Sequence, residues 1–196
     1  VDELVRPGTG GQLLAVHVRG TDMRRGASAS HPVSAPSQSY LDRAIALVEE
    51  KDLAGVYLAC DEVETVSSFR AVFGERLVAA EAFRMSRASE TRRAMPWLTA
   101  STRPLHRYLL GREVLIDVLA MARCGTLLCG PSNVAIAAVL FADTQPDVHG
   151  VPPVALARRH LQRRYLNPKR LWRFGLTQLR RGLERRQSNN EIEGDR

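Results

Sequence analysis

Residues 15–22 read Ala-Val-His-Val-Arg-Gly-Thr-Asp: a short apolar strand runs directly into hydrogen-bonding and charged side chains. On a strand of period two, His17 and Arg19 point to one face while Val16 and Val18 point to the other. An imidazole and a guanidinium on one face at the carboxyl end of a core strand suit an anion. Open α/β sheets bind ligands at those ends, and Arg offers a fixed fork of donors. The same residues fit an Arg snorkelling to solvent beside a satisfied core His, and this stretch alone leaves both readings open.

Outward from that strand, read as Leu13 to Arg19, the chain alternates strand and helix. Gly20 to Pro36 is a long loop rich in Ser, Ala and Arg, and Ser37 to Lys51 carries Leu41, Ala44, Ile45, Leu47 and Val48 at helical spacing. Gly55 to Ala59 is a buried strand ending at Cys60-Asp61-Glu62. A helix from Val63 to Phe73 stops at Gly74, and Leu77 to Ala79 is a brief strand. Periodicity fades from Glu81 to Leu110, which reads as irregular. It returns from Gly111 to Arg123 through Val114, Leu115, Val118, Leu119 and Ala122, with Asp117 set among them. Thr126 to Cys129 is a further buried strand, and Gly130-Pro131-Ser132-Asn133 opens a helix from Val134 to Phe141. This order predicts an α/β fold, a Rossmann-like, doubly wound, mainly parallel sheet with right-handed crossovers. Two basic helices, Val151 to Arg164 and Asn167 to Arg186, are expected to follow as a C-terminal extension. The organisation reads as a lead-in over 1–12, the sheet domain over 13–150, the basic amphipathic helices over 151–187 and a disordered tail over 188–196.

With 196 residues, 44% of them hydrophobic, the chain has room for one substantial core but not for two full domains. The net charge of +7 is uneven: residues 1–150 carry −1, residues 151–187 carry +10 and the last nine carry −2. Cys60, Cys124 and Cys129 are odd in number and lack metal-ligand spacing, which argues against a disulfide framework or a zinc site and fits a reducing compartment. No apolar run approaches a membrane span and no signal sequence opens the chain, so a cytoplasmic protein, soluble or peripheral to the membrane, is expected. The segment Pro7-Gly8-Thr9-Gly10-Gly11 lacks the Lys-Ser/Thr of a phosphate loop.

Four strand ends collect polar groups along one edge of such a sheet: His17, Arg19 and Asp22; Asp61 and Glu62; the loop Arg84 to Ser86; and Ser132 with Asn133. Ser132 and Asn133 stand at a helix N-terminus, where free N–H groups favour an anion, and Ser132 is equally an ordinary N-cap. Facing Arg19, they would form a pyrophosphate clamp. Asp117, on an apolar helix face, requires a partner, either a neighbouring group of the protein or the N–H groups of a ligand.

In order along the chain, His-Val-Arg-Gly-Thr-Asp (17–22), His31-Pro32, Val-Tyr-Leu-Ala-Cys-Asp (56–61), Glu-Val-Leu-Ile-Asp-Val-Leu-Ala-Met-Ala-Arg-Cys (113–124) and Leu-Cys-Gly-Pro-Ser-Asn-Val (128–134) resemble the donor half of the α1,6-fucosyltransferase, nodulation-fucosyltransferase and O-fucosyltransferase-like superfamily, its bacterial members above all. The resemblance covers about residues 13–143. It implies the C-terminal half of a two-domain GT-B fold and an inverting, metal-independent glycosyltransferase, with a GDP-sugar, by default GDP-fucose, as donor substrate and no cofactor. It further implies that His17 and Arg19 hold the donor diphosphate, that Asp22 lies beside the sugar, that Asp61 marks the second strand end, that Asp117 recognises guanine, and that Ser132 with Asn133 lies at the phosphate helix. Where those enzymes carry a second Arg, a Lys and a catalytic Glu, this chain has Gly20, Met23 and Ala27, so Asp22 or His31 is expected to act as general base. The competing expectation is a non-catalytic or incomplete nucleotide-binding domain that acts through a partner or the membrane surface, because the acceptor domain of a GT-B enzyme is not among these residues.

In the basic extension, Trp172, Leu176, Leu179 and Leu183 recur at steps of 4, 3 and 4 beside Arg173, Arg180, Arg181, Arg185 and Arg186. Such a helix over 167–186 suits packing against the sheet domain or a partner domain, or an anionic membrane surface carrying a glycan or lipid-linked acceptor. No basic-aromatic module accompanies the charge, so nucleic acid is not an expected partner.

Overall fold

The computed structural model describes residues 12–20, 33–86 and 101–153. Five strands form one sheet: β1 (Leu13–Val18), β2 (Gly55–Cys60), β3 (Leu77–Val78), β4 (Thr126–Cys129) and β5 (Asp147–Gly150). Four helices connect or follow them: α1 (Ser37–Glu50), α2 (Val63–Phe73), α3 (His106–Met121) and α4 (Asn133–Phe141). Every pairing is parallel and the strand order is β3-β2-β1-β4-β5. The sheet is therefore Rossmann-like and doubly wound, with β1 at its centre and the strand order reversing between β1 and β4.

The two faces of the sheet have separate cores. Leu14, Val16 and Val18 of β1 and Val56, Leu58 and Cys60 of β2 pack with Tyr40, Leu41, Ala44, Leu47 and Val48 of α1 and with Phe69 and Phe73 of α2. On the opposite face, Ala15, Tyr57, Ala59, Leu127 and Cys129 pack with Ala120 and Met121 of α3 and with Ala135, Ala138 and Val139 of α4. Strands covered on both faces must be apolar at every position, and β2 and β4 are buried throughout. Arg76 ties the lead-in of β3 to that of β2 by donating from Nε and Nη2 to the carbonyls of Ala54 and Leu53 at 2.9 and 2.8 Å.

Three sequence expectations change. The helix expected to begin at Gly111 begins five residues earlier, at His106, so the stretch read as irregular ends sooner; Gly111 is tolerated because its missing Cβ faces open space. Asp147–Gly150 is an edge strand that the sequence reading did not include, since Asp, His and Gly carry little strand propensity and the pairing with β4 alone imposes it. The helix expected from Val151 does not begin there: Val151 donates to the Cys129 carbonyl at 2.9 Å, extending the ladder, and residues 151–153 have no helical structure. Val151 and Pro152 each precede a proline, which biases both toward extended backbone. The remainder of the two basic helices, the lead-in over 1–11 and the tail over 188–196 lie outside the described residues.

Gly55 opens β2 where the chain leaves no room for a side chain, because a Cβ there would stand 2.4 Å from the Arg76 carbonyl oxygen. The obstacle is backbone and cannot rotate away. Gly55→Ala is expected to destabilise the protein by about 2 kcal/mol, read as a lower urea midpoint with an unchanged m-value.

Candidate functional site

A cleft of about 430 Å³ opens at the carboxyl edge of the sheet, on the face covered by α3 and α4. Its floor is the ends of β1 and β2, with His17, Val18 and Arg19 from one and Ala59, Cys60 and Asp61 from the other. Its wall is the first half of α3, with Ala82 and Phe83 ahead of that helix and Val134 from α4. The opening exists because His17 is flanked in register by Ala59 on one side and Cys129 on the other, two small side chains at the centre of the sheet.

Of the residues singled out from the sequence, His17, Arg19, Asp61 and Asp117 are brought together in this cleft. His17 is buried, and its Nδ1 has no hydrogen-bond partner among the described residues. Burial, with a smaller contribution from the Arg19 charge, pushes its pKa down from 6.5 to about 4. The imidazole is neutral at physiological pH, so toward a phosphate it serves as one uncharged N–H donor, leaving Arg19 as the cation on that strand. Asp61 is partly engaged: its Oδ1 accepts the Gly20 N–H at 3.0 Å, locking the end of β1 to the end of β2.

Asp117 finds the partner that its apolar helix face demands. The Tyr57 hydroxyl donates to Asp117 Oδ1 at 2.7 Å across the interface between β2 and α3. Burial raises the carboxyl pKa from 3.8 to about 6, while the Tyr57 bond and the nearby Arg84 charge hold it down and Glu113 pushes it up. At neutral pH the group is an ionised acceptor facing a largely apolar space.

Ser132 acts as the N-cap of α4, its buried Oγ accepting the Val134 N–H at 3.2 Å. It does not line the cleft, and neither does the exposed Asn133; the helix start reaches the cleft through Val134. The Arg84 to Ser86 loop serves the fold. Arg84 Nη2 and Nη1 donate to the carbonyls of Ala80 and Ala82 at 2.6 and 3.4 Å, and Ser86 Oγ donates to Glu64 Oε1 at 2.5 Å. Asp22 and His31, expected to act in catalysis, lie outside the described residues, as do Met23 and Ala27.

The position of Gly20 is crowded by the Glu62 side chain. A Cβ there would meet the Cδ of Glu62 at 2.2 Å, and Glu62 is buried, its Oε2 accepting the Thr65 hydroxyl at 2.7 Å. A side chain at position 20 therefore requires Glu62 to move. A second guanidinium does line the cleft from the opposite wall, that of Arg107 on α3.

Sequence reasoning passed over Arg107, Phe83, Glu113 and Tyr57. Glu113 is buried and accepts both the Phe83 N–H, at 3.2 Å, and the Arg103 guanidinium, so it pins the segment ahead of α3 to the helix and shapes the cleft wall. Its spacing of one turn from Asp117 was the available signal. For Tyr57 the signal was a phenol in an otherwise aliphatic buried strand, which must find an acceptor. Cys60 lines the cleft, but burial pushes its thiol up to about 12, so it presents no thiolate nucleophile at neutral pH. Among the described residues no group of His, Cys, Asp and Glu is arranged to hold a metal ion, and no helix is long and apolar enough to cross a membrane. No protein-family model matches the chain, and a search of the curated proteins finds no match.

His17 and Asp117 act oppositely on stability. His17, neutral when folded and charged when unfolded between about pH 4 and 6.5, adds stability as pH rises through that window. Asp117, protonated when folded and ionised when unfolded between pH 3.8 and about 6, removes stability as pH rises. Urea unfolding across this range is therefore expected to show a more positive slope of stability against pH in Asp117→Asn than in wild type, and a more negative slope in His17→Asn.

Proposed function

We propose that this chain is the donor-binding domain of a fucosyltransferase-like glycosyltransferase, taking a GDP-sugar, by default GDP-fucose, and transferring the sugar to an acceptor hydroxyl with inversion and without a metal. The observation that carries the reading is the meeting of Arg19 and Asp117 in one cleft at the sheet's carboxyl edge, walled by Phe83, Leu110 and Val114. A cation and a carboxylate in a cleft with apolar walls match the diphosphate and the base of a nucleoside diphosphate. Arg19 pairs with the phosphate oxygens, the walls cover a flat base, and the Asp117 carboxylate accepts two adjacent N–H groups of the kind guanine carries.

In the reaction proposed, the acceptor oxygen attacks the anomeric carbon as the bond from that carbon to the β-phosphate oxygen breaks. The nucleoside diphosphate leaves with the electron pair, and the acceptor proton passes to a general base, a role we assign to Asp22 or His31. Charge on the leaving group is stabilised by Arg19, assisted by the neutral His17 donor and by Arg107 across the cleft. Asp61 holds the Gly20 amide and so fixes the turn from which Arg19 projects. Acceptors on glycans or lipid carriers, met by a protein peripheral to the cytoplasmic face of a membrane, fit the basic C-terminal region.

Calorimetric titration with GDP, UDP and ADP tests the binding step. GDP is expected to bind tightest, Arg19→Ala to weaken it about 10- to 100-fold, and GDP affinity to fall as pH drops below about 6, where Asp117 takes up a proton. Absence of binding by all three nucleotides would overturn the reading. If GDP binds, release of free sugar from the GDP-sugar distinguishes transfer chemistry from binding alone.

A further inference from the structure

The helix α3 is apolar on two sides. Toward the sheet it buries Val118, Ala120 and Met121. Away from it, Leu105, Tyr108, Arg112, Leu115 and Leu119 succeed one another at steps of 3, 4, 3 and 4, the spacing of a single helix face. Leu105 is 74% exposed, Tyr108 67% and Leu115 50%. A helix that is apolar on two sides calls for a second apolar neighbour, and none of the described residues covers this side.

The charges are sorted as well. Both carboxylates of α3 turn inward, Glu113 to Arg103 and the Phe83 N–H, Asp117 to the Tyr57 hydroxyl. Arg112, on this stripe, is exposed. The outer surface of this helix is thus leucine, tyrosine and arginine with no acidic side chain, which complements a surface that is anionic outside and apolar beneath. We propose that the outer face of α3 docks on an anionic lipid bilayer, with Leu105, Tyr108 and Leu115 entering the acyl boundary and Arg112, on the same stripe, reaching the headgroups. The net charge of +10 over residues 151–187 favours an anionic surface over a neutral one. Because Leu110, Gly111 and Val114 of the same helix line the cleft, docking places the cleft beside the interface. The inference stands whatever the cleft binds.

The test uses the full chain carrying Leu115→Cys, labelled with a polarity-sensitive fluorophore. The native cysteines are all buried and their thiols lie up at about 12, so the new thiol reacts first. Phosphatidylcholine–phosphatidylglycerol vesicles are expected to shift the emission to the blue and to float the protein at low salt, whereas pure phosphatidylcholine vesicles do neither. The unlabelled Leu105→Glu/Tyr108→Glu variant is expected to partition at least about tenfold less while keeping its thermal midpoint. No blue shift with anionic vesicles, or undiminished partition of the double variant, would overturn the proposal. A blue shift without vesicles would overturn it too: one that fades on dilution identifies a second copy as the occupant, and one that persists identifies another segment of the same chain.

Discussion

A strand hydrogen-bonded on both edges and covered on both faces has only its ends at which to present polar chemistry. β1 is such a strand: it pairs with β2 and β4, and Leu14, Ala15, Val16 and Val18 are buried among the cores of the two faces. The first polar groups it releases are His17 and Arg19, at the edge where the strand order reverses. Ala59 and Cys129, the small residues beside His17, keep that edge from filling with side chains, and the Asp61 bond to the Gly20 amide holds the exit of the strand in place. The cleft follows from these constraints together, as an opening that neither neighbouring strand can fill.

Within the cleft, burial decides the charges. It makes His17 a neutral donor and brings Asp117 close to neutrality without removing its charge at physiological pH. Tyr57 keeps Asp117 oriented from below, and Glu113 fixes the neighbouring wall through Arg103 and Phe83. Glu62 packs beside Gly20, and the two arginines that line the cleft come from separate elements, Arg19 at the end of β1 and Arg107 on α3.

Elements with strong apolar periodicity were legible in the sequence. The helix from 63 to 73 and its stop at Gly74 stand where hydrophobic spacing and a glycine with positive φ put them, and β2 and β4 are continuous apolar runs. β5 was not legible, because its pairing with β4 and not its own residues makes it a strand. The first turn of α3 was hidden by Pro104 and Gly111, both of which punctuate a pattern without ending this helix. At the site, the parity of His17 and Arg19 was readable from strand period alone, and so was the need of Asp117 for a partner. That the partner is Tyr57, sixty positions away, depends on which helix crosses which strand. The roles of Ser132 and Arg84 depend likewise on local competition: each is a plausible ligand in sequence, and each is taken up by neighbouring backbone.

The central claim is that the carboxyl-edge cleft receives a nucleoside diphosphate with its phosphates at Arg19 and its base at Asp117. A ¹H–¹⁵N NMR titration of the assigned protein with GDP tests this without reliance on activity. The account predicts saturable shifts of the amides of Val18, Arg19, Gly20 and Val134 at the phosphate end and of Gly111, Val114 and Asp117 at the base end, with β5 and the carboxyl end of α1 unmoved. Shifts confined to residues outside the cleft, or none at saturating GDP, would contradict it.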